Sequence, residues 1–161
     1  MKTIETIEAI QQFIVFKMDA QLYGISIQHV QIIEKVKPIM RVPKVPLCVR
    51  GVMNLRGEIV PVISLREQFG LETKEYTDKT RIIIVKIEEA AVGLIVDEVK
   101  EVIEIENDQI EAAQNVQGKM KIHHILGVGK VEDNIVTLLN LNNIIEEAFE
   151  AGEVLQIEEA K

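Results

Sequence analysis

The segment Val49–Gly70 has a gapless, weak copy near the C-terminus, so the chain must house two similar small folding units. Setting Gly51 against Gly127, a shift of 127 − 51 = 76, pairs Val52 with Val128, Leu55 with Val131, Ile59 with Ile135 and Val60 with Val136. It also pairs Leu65 with Leu141 and Phe69 with Ile145. An upstream match repeats the relation. Setting Gly24 against Gly93, a shift of 93 − 24 = 69, lays Phe13–Met18 on Ile82–Ile87 and pairs Ile25 with Leu94, Ile27 with Val96 and Val30 with Val99. The shift grows from 69 to 76, which places seven extra residues of the second copy within Glu104–Lys121.

Each unit reads as hairpin, short helix or turn, linker, hairpin, short helix. Phe13–Met18 and Leu22–Ile27 are β-prone runs around a turn at Asp19–Gln21, and Arg81–Ile87 and Ala91–Val96 flank Glu88–Ala90. Arg56-Gly57 sits at the reversal of a further hairpin, where glycine supplies positive φ. Ser64–Glu67 matches a capping box and Gly70 a C-terminal cap, which predicts a short helix over Leu65–Phe69. Asn140 is placed to cap a second helix over Leu141–Phe149. Pro38, Pro43 and Pro46 make the connection before Val49 extended and irregular. Residues 1–11 and 151–161 read as polar tails.

Short strands with marginal helices point to two small β-barrels. Ile59, Val60, Val62, Ile63 and Leu65 place apolar side chains on both faces of one strand. Two-sided burial fits barrels packed on each other, or an apolar face awaiting a partner. The shared apolar positions, Ile135 among them, are expected in the core.

Composition narrows the function classes. No apolar run approaches the ~20 residues of a membrane span, and Met1–Phe13 has no signal-peptide core. The single Cys48 excludes an internal disulfide and fits a reducing cytoplasm. It reads as a small buried apolar residue. Between Lys35 and Arg66 stand seven basic residues and one acid, Glu58, a local charge of +6. The remainder is −14, since the total is −8 and −8 − 6 = −14. This asymmetry fits either a docking face for something acidic or solvated loops.

No catalytic framework is visible. His123 and His124 are adjacent, so on a strand they point to opposite faces and cannot chelate together. No metal or other cofactor is expected. Gly127–Lys130 lacks the spacing and the Ser or Thr of a phosphate loop. An OB-like single-stranded nucleic-acid binder is the alternative class, but aromatics are 4% and tryptophan is absent. The net charge of −8 also opposes phosphate binding. An interaction module remains, with strand edges and an apolar groove for a partner. Arg56 at a turn tip suits carboxylate or carbonyl contacts; the competing reading is a turn-stabilising residue tied to its own backbone.

The chain resembles the CheW family of chemotaxis coupling proteins. The resemblance is carried by Phe13–Phe16, Tyr23–Ile25, Val30–Ile33, Val49–Leu65, Val92–Asp97 and Leu126–Gly129, and it covers about Gln12 to Phe149. The Asn54-Leu55-Arg56-Gly57 motif with its following Pro61-Val62 is specific to that domain, and it is shared with the regulatory domain of the CheA kinase. A length of 161 residues fits the free-standing coupling protein. The resemblance implies a mostly β fold of two SH3-like five-stranded β-barrel subdomains with short helices, from an internal duplication. It makes 12–150 one domain, with subdomains at approximately 12–80 and 81–150 and strand exchange between them open. It also implies no catalysis, a cytoplasmic protein recruited to membrane receptor arrays, and two partners: methyl-accepting receptors and the histidine kinase CheA. Val30, Ile33, Asn54, Leu55, Arg56 and Gly57 would meet the receptor. Glu111 and Val116, in the loop Gln109–Val116, would meet the kinase or a ring neighbour. The family often has a basic residue and an aromatic in that loop.

Overall fold

Runs of β-branched residues on either side of each turn form strands whose partners lie far away in sequence. The computed structural model describes residues 10–46, 48–112 and 121–149. The first repeat contributes β1 (Ile10–Met18), β2 (Gln21–Ser26), β3 (Val30–Lys35), β4 (Val49–Leu55), β5 (Glu58–Ser64) and α1 (Leu65–Gln68). The second contributes β6 (Arg81–Ile87), β7 (Ala90–Val96), β8 (Glu98–Glu106), β9 (Ile125–Val131), β10 (Asn134–Leu139) and α2 (Leu141–Ala148). Three-residue 3-10 turns occupy Ile27–His29, Asn107–Gln109 and Ile122–His124.

Two five-stranded sheets result, with orders β8-β1-β2-β10-β9 and β3-β6-β7-β5-β4. Under the repeat relation these two orders are the same order. Each sheet takes its central hairpin from one repeat and its flanking strands from the other. The parallel joints are equivalent as well: Leu138 pairs with Gly24, and Val62 with Gly93. So are the isolated bridges Met40–Val52 and Glu111–Val128. Those bridges explain the aligned glycines. A Cβ on Gly51, whose φ is 142°, would lie 2.1 Å from the Met40 carbonyl oxygen, and one on Gly127 would lie 2.6 Å from that of Glu111. Each repeat needs a bare backbone where the linker crosses.

Three apolar cores account for the two-sided strands. Phe13, Val15, Ile103, Ile105, Val136 and Leu138 fill the first sheet. Met53, Val60, Val62, Ile82, Ile84 and Ile95 fill the second. The third lies between the sheets and includes Phe16, Ile25, Ile63, Leu65, Leu94 and Leu141. Thus β5 sends Val60 and Val62 into its own sheet's core and Ile63 toward the other sheet. The fold is mostly β, with two SH3-like units.

The helices start where the caps predict. Ser64 Oγ accepts from the Glu67 N–H at 3.4 Å, and Asn140 Oδ1 accepts from the Asn143 N–H at 3.1 Å. Leu141, Ile144, Ile145 and Ala148 form the buried face of α2. Gln68 Nε2 donates to the Ile144 carbonyl at 2.6 Å and joins the two helices.

Three expectations change. Each first hairpin is followed by a strand, β3 or β8, rather than by a short helix or turn alone. Their partners, β6 and β1, lie far along the chain, so no local signal marks the pairing. Ile135 is 59% exposed rather than core, although its twin Ile59 packs against the central core. β1 begins at Ile10, so Ile10 and Gln11 belong to the strand and not to a tail.

Candidate partner-binding surface

The Arg56-Gly57 turn is built from local rules. Leu55 and Glu58 are the last cross-strand pair, and both central residues have positive φ, 53° for Arg56 and 88° for Gly57. That is the twist a two-residue hairpin requires. Asn54 Oδ1 accepts from the Gly57 N–H at 2.9 Å and locks the turn. Leu55 turns inward against the core of its own sheet. Arg56 projects outward and makes no hydrogen bond or ion pair with any described residue. Asn54, Leu55 and Gly57 therefore shape the turn, and Arg56 is the group it presents. The equivalent left-handed positions of the other three hairpins hold acids, Asp19, Glu88 and Glu132.

Val30 and Ile33 stand on β3, at the opposite edge of the same sheet from β4. Val30 is half-buried against the central core, whereas Ile33 is 39% exposed. A register irregularity between Val30 and Ile32 lets Ile32 face the sheet's own core and leaves Ile33 outside. Val30 pairs with Val85 near the Glu88 turn, and the parallel β5–β7 joint puts the Arg56 turn at that same end. The structure thus brings Val30 and the turn toward one end of the sheet. It leaves Ile33 farther along the edge, with no described hydrogen bond to the Arg56 turn.

Glu111 is exposed and belongs to the other sheet. Its backbone exchanges two hydrogen bonds with Val128, at 2.8 and 2.9 Å. It borders a hollow of about 290 Å³ with Val128, Lys130 and the exposed Ile135. Val116 lies outside the described residues.

The basic stretch divides by role. Arg66 is buried, and its Nη1 donates to Asp19 at 2.8 Å and to Asp97 at 2.9 Å while Nε donates to the Glu72 carbonyl. Arg50 pairs with Glu67 at 2.5 Å and Lys37 with Glu34 at 3.6 Å. Lys35, Arg41, Lys44 and Arg56 have no ion-pair partner among the described residues. Arg41, Lys44, Lys37 and Arg50 line a hollow of about 1010 Å³ beneath the proline-rich connection, with Tyr76 beside them. The basic excess is therefore partly structural and partly a cationic hollow.

Cys48 is half-buried against the central core, and burial pushes its thiol pKa up, away from a reactive thiolate. His123 and His124 overturn the expectation of divergent side chains. They lie on a 3-10 turn rather than a strand, and both Nε2 atoms meet Glu147 Oε2, at 2.6 and 2.8 Å. Sequence reasoning missed this group because Glu147 comes from α2, 23 residues beyond His124. No helix of the described residues is long and apolar enough to cross a membrane.

Comparison with known proteins agrees with this geometry. The family model described as the CheW-like domain matches residues 12–149. The chain is 37% identical to the chemotaxis protein CheW of Bacillus subtilis, over 84% of this chain and 87% of that protein. It is 35% identical to the chemotaxis protein CheW of Helicobacter pylori, over 88% of this chain and 86% of the other. The crystal structure of the scaffolding protein TtCheW from Thermoanaerobacter tengcongensis superposes with a TM-score of 0.77 at 34% identity, covering 83% of this chain and 86% of that one. The family model spans both interleaved sheets and their helices, and the chain belongs to the CheW family.

Proposed function

We propose that this chain is a non-enzymatic adaptor that couples the cytoplasmic tip of methyl-accepting chemotaxis receptors to the histidine kinase CheA. The observation that carries this reading is the Arg56 hairpin tip. A rigid, internally satisfied turn presents one guanidinium that has no use within the described fold. Val30, Ile33 and the turn form the receptor side, and the Glu111 surface on the other sheet forms the kinase side. Residues 12–150 act as one unit, which works in the cytoplasm and is recruited to membrane arrays through its partners.

The described surface lacks the stacking platforms that the nucleic-acid alternative requires. Of the six aromatic residues only Tyr76 is exposed, so the described surface has no row of stacking platforms. The test is a pull-down of the full chain with the regulatory domain of CheA and, separately, with a receptor hairpin fragment. Both are expected to bind. Binding to neither would sink the proposal.

A further inference from the structure

We propose that His123, His124 and Glu147 form a binding site for a divalent transition-metal ion of the zinc type. One ligand atom from each of the three residues lies within 4.8 Å of the others. Both imidazoles address the same oxygen, Oε2, and the rings stand edge to face with centroids 4.6 Å apart. Two imidazoles and one carboxylate are the donor set of open, three-ligand zinc sites, with water completing the tetrahedron.

The site is held from outside. The His124 carbonyl accepts from the Asn140 N–H at 2.8 Å, and the His123 carbonyl accepts from Asn143 Nδ2 at 2.7 Å. Asn143 and Glu147 are one helical turn apart on α2, so one face of the helix fixes both the turn and its ligand. His124 is 1% exposed and cannot swing into solvent, whereas the side chain of His123 is 53% exposed and leaves a path for the ion. Lys121 occupies Glu147 Oε1. That contact orients the carboxylate to offer Oε2, while its charge opposes a cation. On binding, the ion takes the place of the Nε2 protons, and each neutral ring carries its proton on Nδ1.

The test is a calorimetric Zn²⁺ titration of the full, untagged chain, repeated on His123→Ala and Glu147→Gln. His123 is exposed and Glu147 lies outside the apolar cores, so both variants are expected to keep the wild-type circular dichroism spectrum without metal. The proposal expects saturable binding of about one ion per chain, weakened at least about tenfold in each variant. Absence of saturable binding at micromolar Zn²⁺ would overturn it, as would equal binding by wild type and both variants. Substitution of Co²⁺ gives a second reading on the unmutated chain. Ligand-field bands of a low-coordinate nitrogen and oxygen site support the assignment, and a thiolate charge-transfer band would place the ion on Cys48 and overturn it.

Discussion

Arg56 holds a backbone conformation that costs a residue with a Cβ roughly 1–2 kcal/mol, yet its side chain repays none of this within the described fold. Under the proposed function, the use of that side chain is a contact with a partner. Arg56→Ala and Arg56→Gly separate the two readings of this position. Both remove the guanidinium, and only glycine relaxes the backbone. Receptor binding is expected to fall alike in both, while urea unfolding finds Arg56→Ala close to wild type and Arg56→Gly up to about 1 kcal/mol more stable. An Arg56→Ala chain that unfolds would assign the residue to the fold instead. The turn was legible because its rule is local, two apolar runs with a Gly at the second turn position; the Asn54 bond that locks it emerged from the structure. Ile135 was harder: it is apolar, β-branched and aligned with the half-buried Ile59, and nothing in its neighbours marks it as exposed.

At the scale of elements, Arg66 joins three parts of the molecule. It leaves α1, meets Asp19 in the β1–β2 turn and Asp97 at the end of β7, and so ties one sheet's hairpin to the other sheet. Asp97 also accepts from the Asp19 N–H at 3.0 Å. Arg66→Met removes the cation and leaves two carboxylates facing each other. The expected loss is about 2–3 kcal/mol in chemical denaturation, below the full cost of a buried pair because the Asp19 side chain is 46% exposed. A loss under about 0.5 kcal/mol would show the tie to be an ordinary surface pair. In the sequence Arg66 was one of seven undifferentiated basic residues. Its separation from Arg41 or Lys44 required the approach of Asp19, 47 residues away. The capped helices were readable, since Ser64 and Asn140 bond within their own first turns. The histidine pair was not, because a 3-10 turn and a strand look alike over three residues.

Across the whole molecule, the repeat predicted two units but not how they share strands. Each hairpin finds its flanking strands in the opposite repeat, so neither half of the sequence holds a complete sheet. We infer that the two sheets unfold together. A chain divided in the irregular 72–76 connection is expected to give two fragments that lack the native near-ultraviolet dichroism alone and regain it when mixed. A fragment that folds alone would mean that one repeat suffices for a sheet. This interleaving also bears on function. On the proposed function, the receptor side and the kinase side belong to sheets that pack on one central core, which couples their positions. The most direct test of coupling is CheA autophosphorylation on membranes bearing receptor, measured with and without this chain. The account predicts that kinase sediments with receptor and that its activity rises only when the chain is present, with the rise reduced by Arg56→Ala. Kinase activity and sedimentation unchanged by the wild-type chain would contradict it.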